Sequence, residues 1–244
     1  MDFISKPFSR PVLLNRIKTH LHIEDIILER TTRLKKLKNA IVFVLSSMVE
    51  NRDKKTKKHI DRLTRYIKLF LDKMMERNVY YEEISKWDIE MLISSSRMHD
   101  IGKIIITDII LNKPGKLTED EFDTIKAHSL AGEKIIDNII SKAGDDIFLQ
   151  YAKSFAAYHQ ERWDGSGYPY GLKGTNIPLQ GRIMAIADVY DALISDRSYK
   201  SAFPHEQAVD IIRNGSGTYF DPELVKIFLE FSQDFWDSSR EQEN

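Results

Sequence analysis

Residues 118–140 read TEDEFDTIKAHSLAGEKIIDNII, and this stretch has the sequence signals of both the start and the continuation of a long helix. Thr118 followed three residues later by Glu121 has the form of a capping box, in which each side chain satisfies a free backbone N–H of the first helical turn. The residues after it predict a helix that continues through about Ile140.

Helical patterns also fill most of the remaining sequence. Residues 160–178 are different, because four glycines and two prolines there predict an ordered loop. No alternating strand pattern is found after the first few residues, so the sequence predicts an all-α fold. Further helices are predicted after a capping-box sequence at Ser85–Asp88, up to His159, and over residues 179–194, 205–213 and 222–231.

The N-terminal part has a pattern of its own. Residues 3–8 read as a short strand, and a helix is expected to start near Ser9–Pro11. An a/d heptad follows at Leu34, Leu37, Ile41, Val44 and Met48, but the step from Leu28 to Leu34 breaks the register and predicts two helical pieces or a stutter. Two interpretations remain open: a core helix of the main domain, or, for residues 10–38, the seam of a parallel coiled-coil homodimer.

The composition excludes several function classes. The chain has 244 residues, with 36 Lys and Arg against 37 Asp and Glu, so the basic excess of a dedicated nucleic-acid binder is missing and no DNA partner is expected. It has seven histidines and no cysteine, so any metal site must use His, Asp and Glu. No apolar run approaches the roughly 18–20 residues that span a bilayer, and we expect a cytoplasmic protein without a membrane partner.

Four histidines and two aspartates lie at positions that a helical fold would turn inward. Any one of these histidines alone is more simply a satisfied core residue, and one aspartate alone could be a surface carboxylate. Together they offer nitrogen and oxygen ligands for two divalent metal ions, with Asp100 suited to bridge them, and such mixed ligands suit Fe, Mn, Co, Ni or Zn. The residues are His59, His99, Asp100, His128, His159 and Asp188.

Five stretches of this sequence resemble the HD-GYP family, a branch of the HD phosphohydrolases. They read RDKKTKKH (52–59), HDIGKI (99–104), LNKPGKLTEDEFDTIKAHSLAGEKII (111–136), HQERWDGSGYPYGLKGTNIPLQGRI (159–183) and ADVYDALISDRSYK (187–200). The resemblance implies an all-helical HD-domain bundle, here with an extended N-terminal helix. It also implies a metal-dependent phosphodiesterase that hydrolyses cyclic di-GMP to linear pGpG and further to GMP.

The resemblance assigns roles to single residues. The six residues above become ligands of two metal ions, Fe or Mn or similar, and Lys103 is expected to reach the scissile phosphate. Two metals about 3.5–4 Å apart would generate hydroxide near neutral pH, and Lys103 would offset charge in the transition state. Tyr168 would line the substrate pocket, and Arg197 with Lys200 would hold guanine or phosphate groups. A simpler alternative for Lys103 is an interaction with a helix dipole. For Arg197 and Lys200 the simpler alternative is that both are solvated charges.

Two positions depart from the family pattern. The family commonly has a glutamate four residues before its first histidine, where this chain has Lys55, and a second histidine where this chain has Gln160. An ammonium repels a metal ion and an amide oxygen is a poor ligand. We therefore expect a binuclear site at most, and slow catalysis that can stop at the linear dinucleotide. A catalytically inactive cyclic-dinucleotide sensor, or a docking module, is the alternative. A third hypothesis is an enzyme for another nucleotide, including a hybrid cyclic GMP-AMP.

The N-terminal residues resemble the end of a response-regulator receiver domain. The stretch DFISKPFSRPVLLNRIKTHL matches its last strand, Lys-Pro turn and final helix, with Lys6 at the lysine position. The phosphorylatable aspartate of that family would lie upstream of Met1, so we expect a fragment of a longer two-component regulator or a chain shortened at its start. The predicted organisation is a receiver remnant (1–23), a linker helix (24–38), an HD-GYP domain (39–233) and an acidic tail (234–244).

Overall fold

Helices form the whole regular structure of the described chain. The computed structural model describes residues 9–52, 59–196 and 201–240. Those ranges contain eleven α-helices and three short 3-10 helices, and their only strand-like feature is an isolated bridge between Ser216 and Phe220. The prediction of an all-α fold is confirmed.

The helices follow one another with short connections, apart from the loop before α8. Within the described ranges, none of them has the length and apolar character needed to cross a bilayer. They are α1 (Arg10–Arg52), α2 (His59–Glu76), α3 (Tyr81–Ile84), α4 (Ile89–Ser95), α5 (Asp108–Leu111), α6 (Glu119–Ala143), α7 (Ile147–Tyr158), α8 (Leu179–Ile194), α9 (His205–Asn214), α10 (Pro222–Glu230) and α11 (Ser232–Arg240).

Contacts divide the chain into two units, residues 1–41 and residues 42–244. In the first unit, the described residues from 10 onward belong to α1 and none is buried. Leu34, Leu37 and Ile41 are each more than half exposed. The helix continues without a break through Leu28 and Leu34. Of the two alternatives expected there, two helical pieces are therefore excluded and a stutter within one helix remains. A change of heptad register does not interrupt backbone hydrogen bonds, and these exposed side chains impose no core register.

The core of the second unit is built around α2 and α8. Apolar residues recur at helical spacing along α2, and its buried face packs against α8, α10 and α11. Phe70 of α2 lies 4.6 Å, between ring centroids, from Phe235 of α11. Each such aromatic or aliphatic side chain contributes about 1.5–3 kcal/mol through burial. The fully buried residues of α2 are Leu63, Tyr66, Ile67, Phe70, Leu71 and Met74.

A second apolar cluster joins the C-terminal part of α1 to α6 and α7. Val42 and Val49 contribute from α1, and Ile136 contributes from α6. Met98 and Ile101 belong to the same cluster and flank His99-Asp100. This packing fixes the turn that carries the His-Asp pair.

The structure differs from the sequence predictions at the start of α4 and in the C-terminal segment. Asp88, not Ser85, caps α4, because its side chain accepts a hydrogen bond from the Met91 N–H at 3.0 Å. Part of the segment expected to be an acidic tail forms α11, in which Phe235 is fully buried. The predicted strand at residues 3–8, with Lys6, lies outside the described residues, as do Lys55, Arg197 and Lys200.

Candidate metal centre

The six residues predicted as metal ligands come from five separate parts of the second unit. His59 is the first residue of α2, and His128 lies within α6. His159 follows the end of α7, and Asp188 lies on α8. His99 and Asp100 occupy the turn between the 3-10 helices Ser96–Met98 and Ile101–Ile105.

The structure brings these residues together around Asp100. One compact group contains His59, His99 and Asp100, and a second contains Asp100, His128 and His159. The Nε2 atoms of His128 and His159 lie 3.5 and 3.6 Å from Asp100 Oδ1, and His99 Nε2 lies 3.3 Å from Asp100 Oδ2. Asp188 Oδ1 lies 3.4 Å from His59 Nε2. Asp100 is thus the residue shared by both groups, as a bridging ligand would be.

Three of the four imidazole rings are oriented in the same way, by a backbone carbonyl. Three Nδ1–H groups donate to backbone carbonyls: His99 to Ser96 (3.1 Å), His128 to Ile125 (2.7 Å) and His159 to Phe155 (2.9 Å). A carbonyl oxygen can only accept, so Nδ1 carries the proton and Nε2 of the neutral ring keeps its lone pair. Orientation of a histidine through its second ring nitrogen is usual at metal sites.

The inward-facing atoms have a chemistry that a cation would satisfy. The Nε2 atoms of His128 and His159 lie only 3.1 Å apart, and both face a carboxylate. Buried His99 Nε2 has no hydrogen-bond partner in the part of the chain that the structure describes. Burial outweighs the opposing charge of Asp100 and lowers the pKa of His128 to about 3. His128 is therefore neutral, the form that ligates metals.

Two glycines allow the turn of His99-Asp100 to approach α6. A Cβ on Gly102 would lie 1.9 Å from the His128 carbonyl oxygen and 2.4 Å from the Gly132 nitrogen. Both are backbone atoms, which cannot move without distorting α6. Gly102 lies within HDIGKI, but its contact with α6 was not predicted from the sequence.

Sequence reasoning also missed the role of Asp191 and Arg62. Asp191 is buried and accepts from His59 Nδ1 at 2.6 Å and from Arg62 Nε and Nη2 at 2.5 and 2.9 Å. Burial would raise the pKa of Asp191, but the hydrogen bonds from His59 and Arg62 outweigh it, so the pKa is lowered. The available signal was spacing, because Asp191 is one turn from Asp188 and Arg62 is three residues after His59.

The predicted phosphate-contacting lysine lies beside the shared carboxylate. Lys103 is buried, and its Nζ is 2.8 Å from Asp100 Oδ2. Tyr168 is the one predicted substrate-binding residue within the ranges that the structure describes. The centroid of its ring lies 6.3 Å from that of the His128 ring. Gln160 accepts a backbone hydrogen bond from Tyr168 N–H at 3.2 Å through its own carbonyl oxygen.

The loop that carries Tyr168 is held from inside by a carboxylate. Buried Glu161 accepts hydrogen bonds from the backbone N–H groups of Tyr170 (2.7 Å) and Leu172 (3.0 Å). Gly167 packs so closely that a Cβ there would lie 2.3 Å from the Arg162 nitrogen. The loop is therefore an ordered wall of the site, as its glycine and proline content predicts.

Two cavities reach the candidate ligands. One, of about 10 Å³, is lined by Glu50, His59 and Lys103 among others. The other, of about 100 Å³, is lined by His159, Asp188 and the residues that follow His159. The first has room for about one water, so a larger ligand would approach from the second.

Comparisons with known proteins identify the family to which the chain belongs. The profile of a family described as HD domain matches residues 24–224. A Vibrio cholerae protein named "Probable cyclic di-GMP phosphodiesterase" is 40% identical over an alignment of 252 residues, gaps included. The alignment covers 97% of this chain and 57% of the relative. A second protein from that organism, named "Cyclic di-GMP phosphodiesterase", is 43% identical over 202 residues, covering 83% of this chain and 41% of the relative.

A solved structure shares the fold. The crystal structure of a cyclic GMP-AMP specific phosphodiesterase from V. cholerae matches with a TM-score of 0.50 at 19% identity, covering 82% of this chain and 51% of that one. Since the chain spans 57% and 41% of the two curated relatives, each of them has sequence beyond the matched region.

Proposed function

We propose, because this chain belongs to the HD domain family, that it is a metal-dependent phosphodiesterase that hydrolyses cyclic di-GMP to linear pGpG, with GMP as the alternative end product. The observation that carries this proposal is the position of Asp100, which is shared by two histidine groups and contacts Lys103. The names of the two V. cholerae relatives support the choice of substrate. We further propose that the chain belongs to the HD-GYP branch.

The donor set fits two divalent ions. His59, His99 and Asp100 would hold one ion, with Asp188 beside His59, and Asp100, His128 and His159 would hold the other. Fe or Mn suits these ligands, with Zn, Co and Ni as further candidates. When bound, such ions supply a water of lowered pKa and polarise phosphate oxygens.

The residues of the chain supply position and charge. The Nδ1–H hydrogen bonds hold the imidazoles with Nε2 inward, and Asp191 holds His59. The Lys103 ammonium lies where the two ligand groups meet, so it would offset negative charge that gathers on the phosphate in the transition state. Tyr168, Arg197 and Lys200 remain our proposed substrate-binding residues.

The departures at Lys55 and Gln160 lead us to propose slow turnover by a binuclear site. Gln160 lines the larger cavity beside His159 and Asp188. An amide there replaces an imidazole and weakens any further metal position. Restoring glutamate at position 55 and histidine at position 160 should raise both metal content and rate. Failure of both to rise would contradict this account.

The test of the proposed function is metal analysis with turnover. The chain is purified without oxygen, its metals are quantified, and cyclic di-GMP hydrolysis is followed with added Mn or Fe(II). Lys103→Met should lower the rate about 10²- to 10³-fold while metal content is kept. The matched control is Lys142→Met, at an exposed position near the end of α6. Metal-loaded wild-type protein that binds cyclic di-GMP without hydrolysing it would leave the alternative, a cyclic-dinucleotide sensor. Hydrolysis of cyclic GMP-AMP in preference would identify the hybrid substrate instead.

We also propose that α1 pairs with α1 of a second copy in a homodimer. Four of its a/d positions carry apolar side chains that are more than half exposed: Leu37, Ile41, Val44 and Met48. Leu37→Lys should convert a dimer to a monomer in sedimentation equilibrium, whereas Lys38→Glu should not. A monomeric wild-type chain would refute this. The receiver remnant at residues 1–23 and the cytoplasmic location also remain proposals.

A further inference from the structure

Arg162 and Tyr219 form a feature that the proposed chemistry does not use. The Arg162 guanidinium lies over the Tyr219 ring, 4.1 Å from its centroid. Both residues line the cavity of about 100 Å³ that is also lined by the candidate ligands His159 and Asp188. Tyr219 is about half exposed, at 47%, so part of its ring is open to solvent.

The backbone holds this pair in place. The N–H of Trp163 donates to the Tyr219 carbonyl at 3.2 Å, and the N–H of Asp164 donates to the Thr218 carbonyl at 2.9 Å. The Tyr219 N–H in turn donates to the Gly215 carbonyl at 2.9 Å. The two residues that follow Arg162 are therefore hydrogen-bonded to the segment that carries Tyr219, which keeps the two side chains next to each other.

The Arg162 side chain keeps its donors available. In the described ranges no carboxylate lies within ion-pair distance of its guanidinium, whereas Arg52, Arg62 and Arg182 each have a carboxylate partner there. A planar guanidinium stacked on an aromatic ring still presents its N–H groups at its edge. Such an edge matches two acceptors in one plane.

We propose that Arg162 and Tyr219 form a subsite for a guanine base of the substrate. The O6 and N7 atoms of guanine are the acceptor pair that arginine binds with two parallel hydrogen bonds, and adenine has a donor in place of O6. Tyr219 supplies an aromatic surface on which a base can stack. This inference rests on the proposed function, and it adds a base-reading element to the His159 side of the metal centre.

The test measures binding separately from turnover. The affinities of cyclic di-GMP and cyclic di-AMP for the intact chain are determined by calorimetry in chelator, where no hydrolysis occurs. Arg162→Ala should weaken cyclic di-GMP binding about 10- to 100-fold and reduce its preference over cyclic di-AMP. Arg162→Lys keeps the charge but not the paired donors, so it should lose the preference too. The control is Arg213→Ala, an exposed arginine paired with Asp210.

The outcomes separate guanine from phosphate recognition. Equal weakening of both cyclic dinucleotides by Arg162→Ala, or full retention by Arg162→Lys, would mean a phosphate contact and overturn the subsite. So would unchanged binding by both variants, or wild-type protein that does not distinguish the two ligands. Tyr219→Phe should retain affinity and Tyr219→Ala should lose it about tenfold or more. A chain that prefers cyclic di-GMP but never hydrolyses it would refute the proposed activity and leave the subsite standing.

Discussion

Replacement of Asp191 by asparagine tests whether this carboxylate positions the metal centre. The buried carboxylate receives three hydrogen bonds, one from His59 and two from Arg62. Asp191→Asn keeps the shape but removes the negative charge that lies 2.5 Å from Nε of the 13%-exposed Arg62 side chain. Removal of one partner of a buried pair typically destabilises by about 3–5 kcal/mol. We expect the lower end, because Arg62 Nη2 keeps its bond to Ser195 Oγ at 2.9 Å.

The same substitution should weaken metal binding. Loss of a partner behind a ligating histidine typically reduces metal affinity about 10- to 100-fold. An asparagine can present its amide N–H₂ to His59 Nδ1, which favours the wrong tautomer of the ring. We therefore expect Mn²⁺ or Co²⁺ affinity to fall within that range, and Co²⁺ spectra should report a changed ligand field.

Two measurements decide between positioning and simple structural support. Urea unfolding gives the free energy of unfolding, and competition with a metal indicator gives the affinity. The control is Asp72→Asn, which removes an exposed pair with Lys68 and should change stability by less than about 0.5 kcal/mol. The reasoning is refuted if Asp191→Asn matches this control in both measurements. Lost stability with unchanged metal affinity would assign Asp191 a structural role only.

Three further substitutions test other features. Gly102→Ala should lower the free energy of unfolding in urea by about 3 kcal/mol or more, because the new Cβ would lie 1.9 Å from the His128 carbonyl oxygen. A decrease of less than about 1 kcal/mol would contradict the close packing. Thr118→Ala removes the cap that Glu121 completes and should cost about 0.5–2 kcal/mol, and no change in unfolding would show that the cap is unimportant. Burial lowers the pKa of His205, so the stability it contributes is complete above its ordinary pKa of about 6.5 and is lost as pH falls toward the lowered value. His205→Gln should therefore flatten the fall in Tm between about pH 7 and pH 5, and an unchanged pH profile would exclude this contribution.

The sequence predicted the candidate ligands because each lies at a position that its own helix or turn makes inward. His128, for example, lies on the buried face of α6, whose start the capping box at Thr118 had already located. Asp100 could be proposed as a bridge because it follows His99 directly, and a paired or metal-bound state is the usual way to bury such a charge. Local periodicity and chemistry made these residues candidates, and the resemblance to the HD-GYP family assigned each of them its role.

Contacts between helices were not accessible in that way. Asp191 and Asp188 look alike in sequence, and only the packing of α2 against α8 shows that Asp191 receives His59 and Arg62. Ser85 and Asp88 are both good caps, and tertiary packing selects Asp88, whose own N–H is bonded to the Tyr151 hydroxyl at 3.1 Å. Long-range partners of this kind depend on the relative positions of helices, which no single segment encodes.

The Glu161 carboxylate has a consequence for how fast a ligand can associate. By binding the N–H groups of Tyr170 and Leu172, it fixes the loop before any ligand arrives. Ordering a free backbone costs about 1–2 kcal/mol per residue in conformational entropy. In this loop that entropy is lost when the protein folds and not when a ligand binds. Ligand entry is then expected to follow diffusion to a rigid opening, with no slow loop-closing phase. Differences in affinity among cyclic dinucleotides would accordingly arise in their dissociation rates.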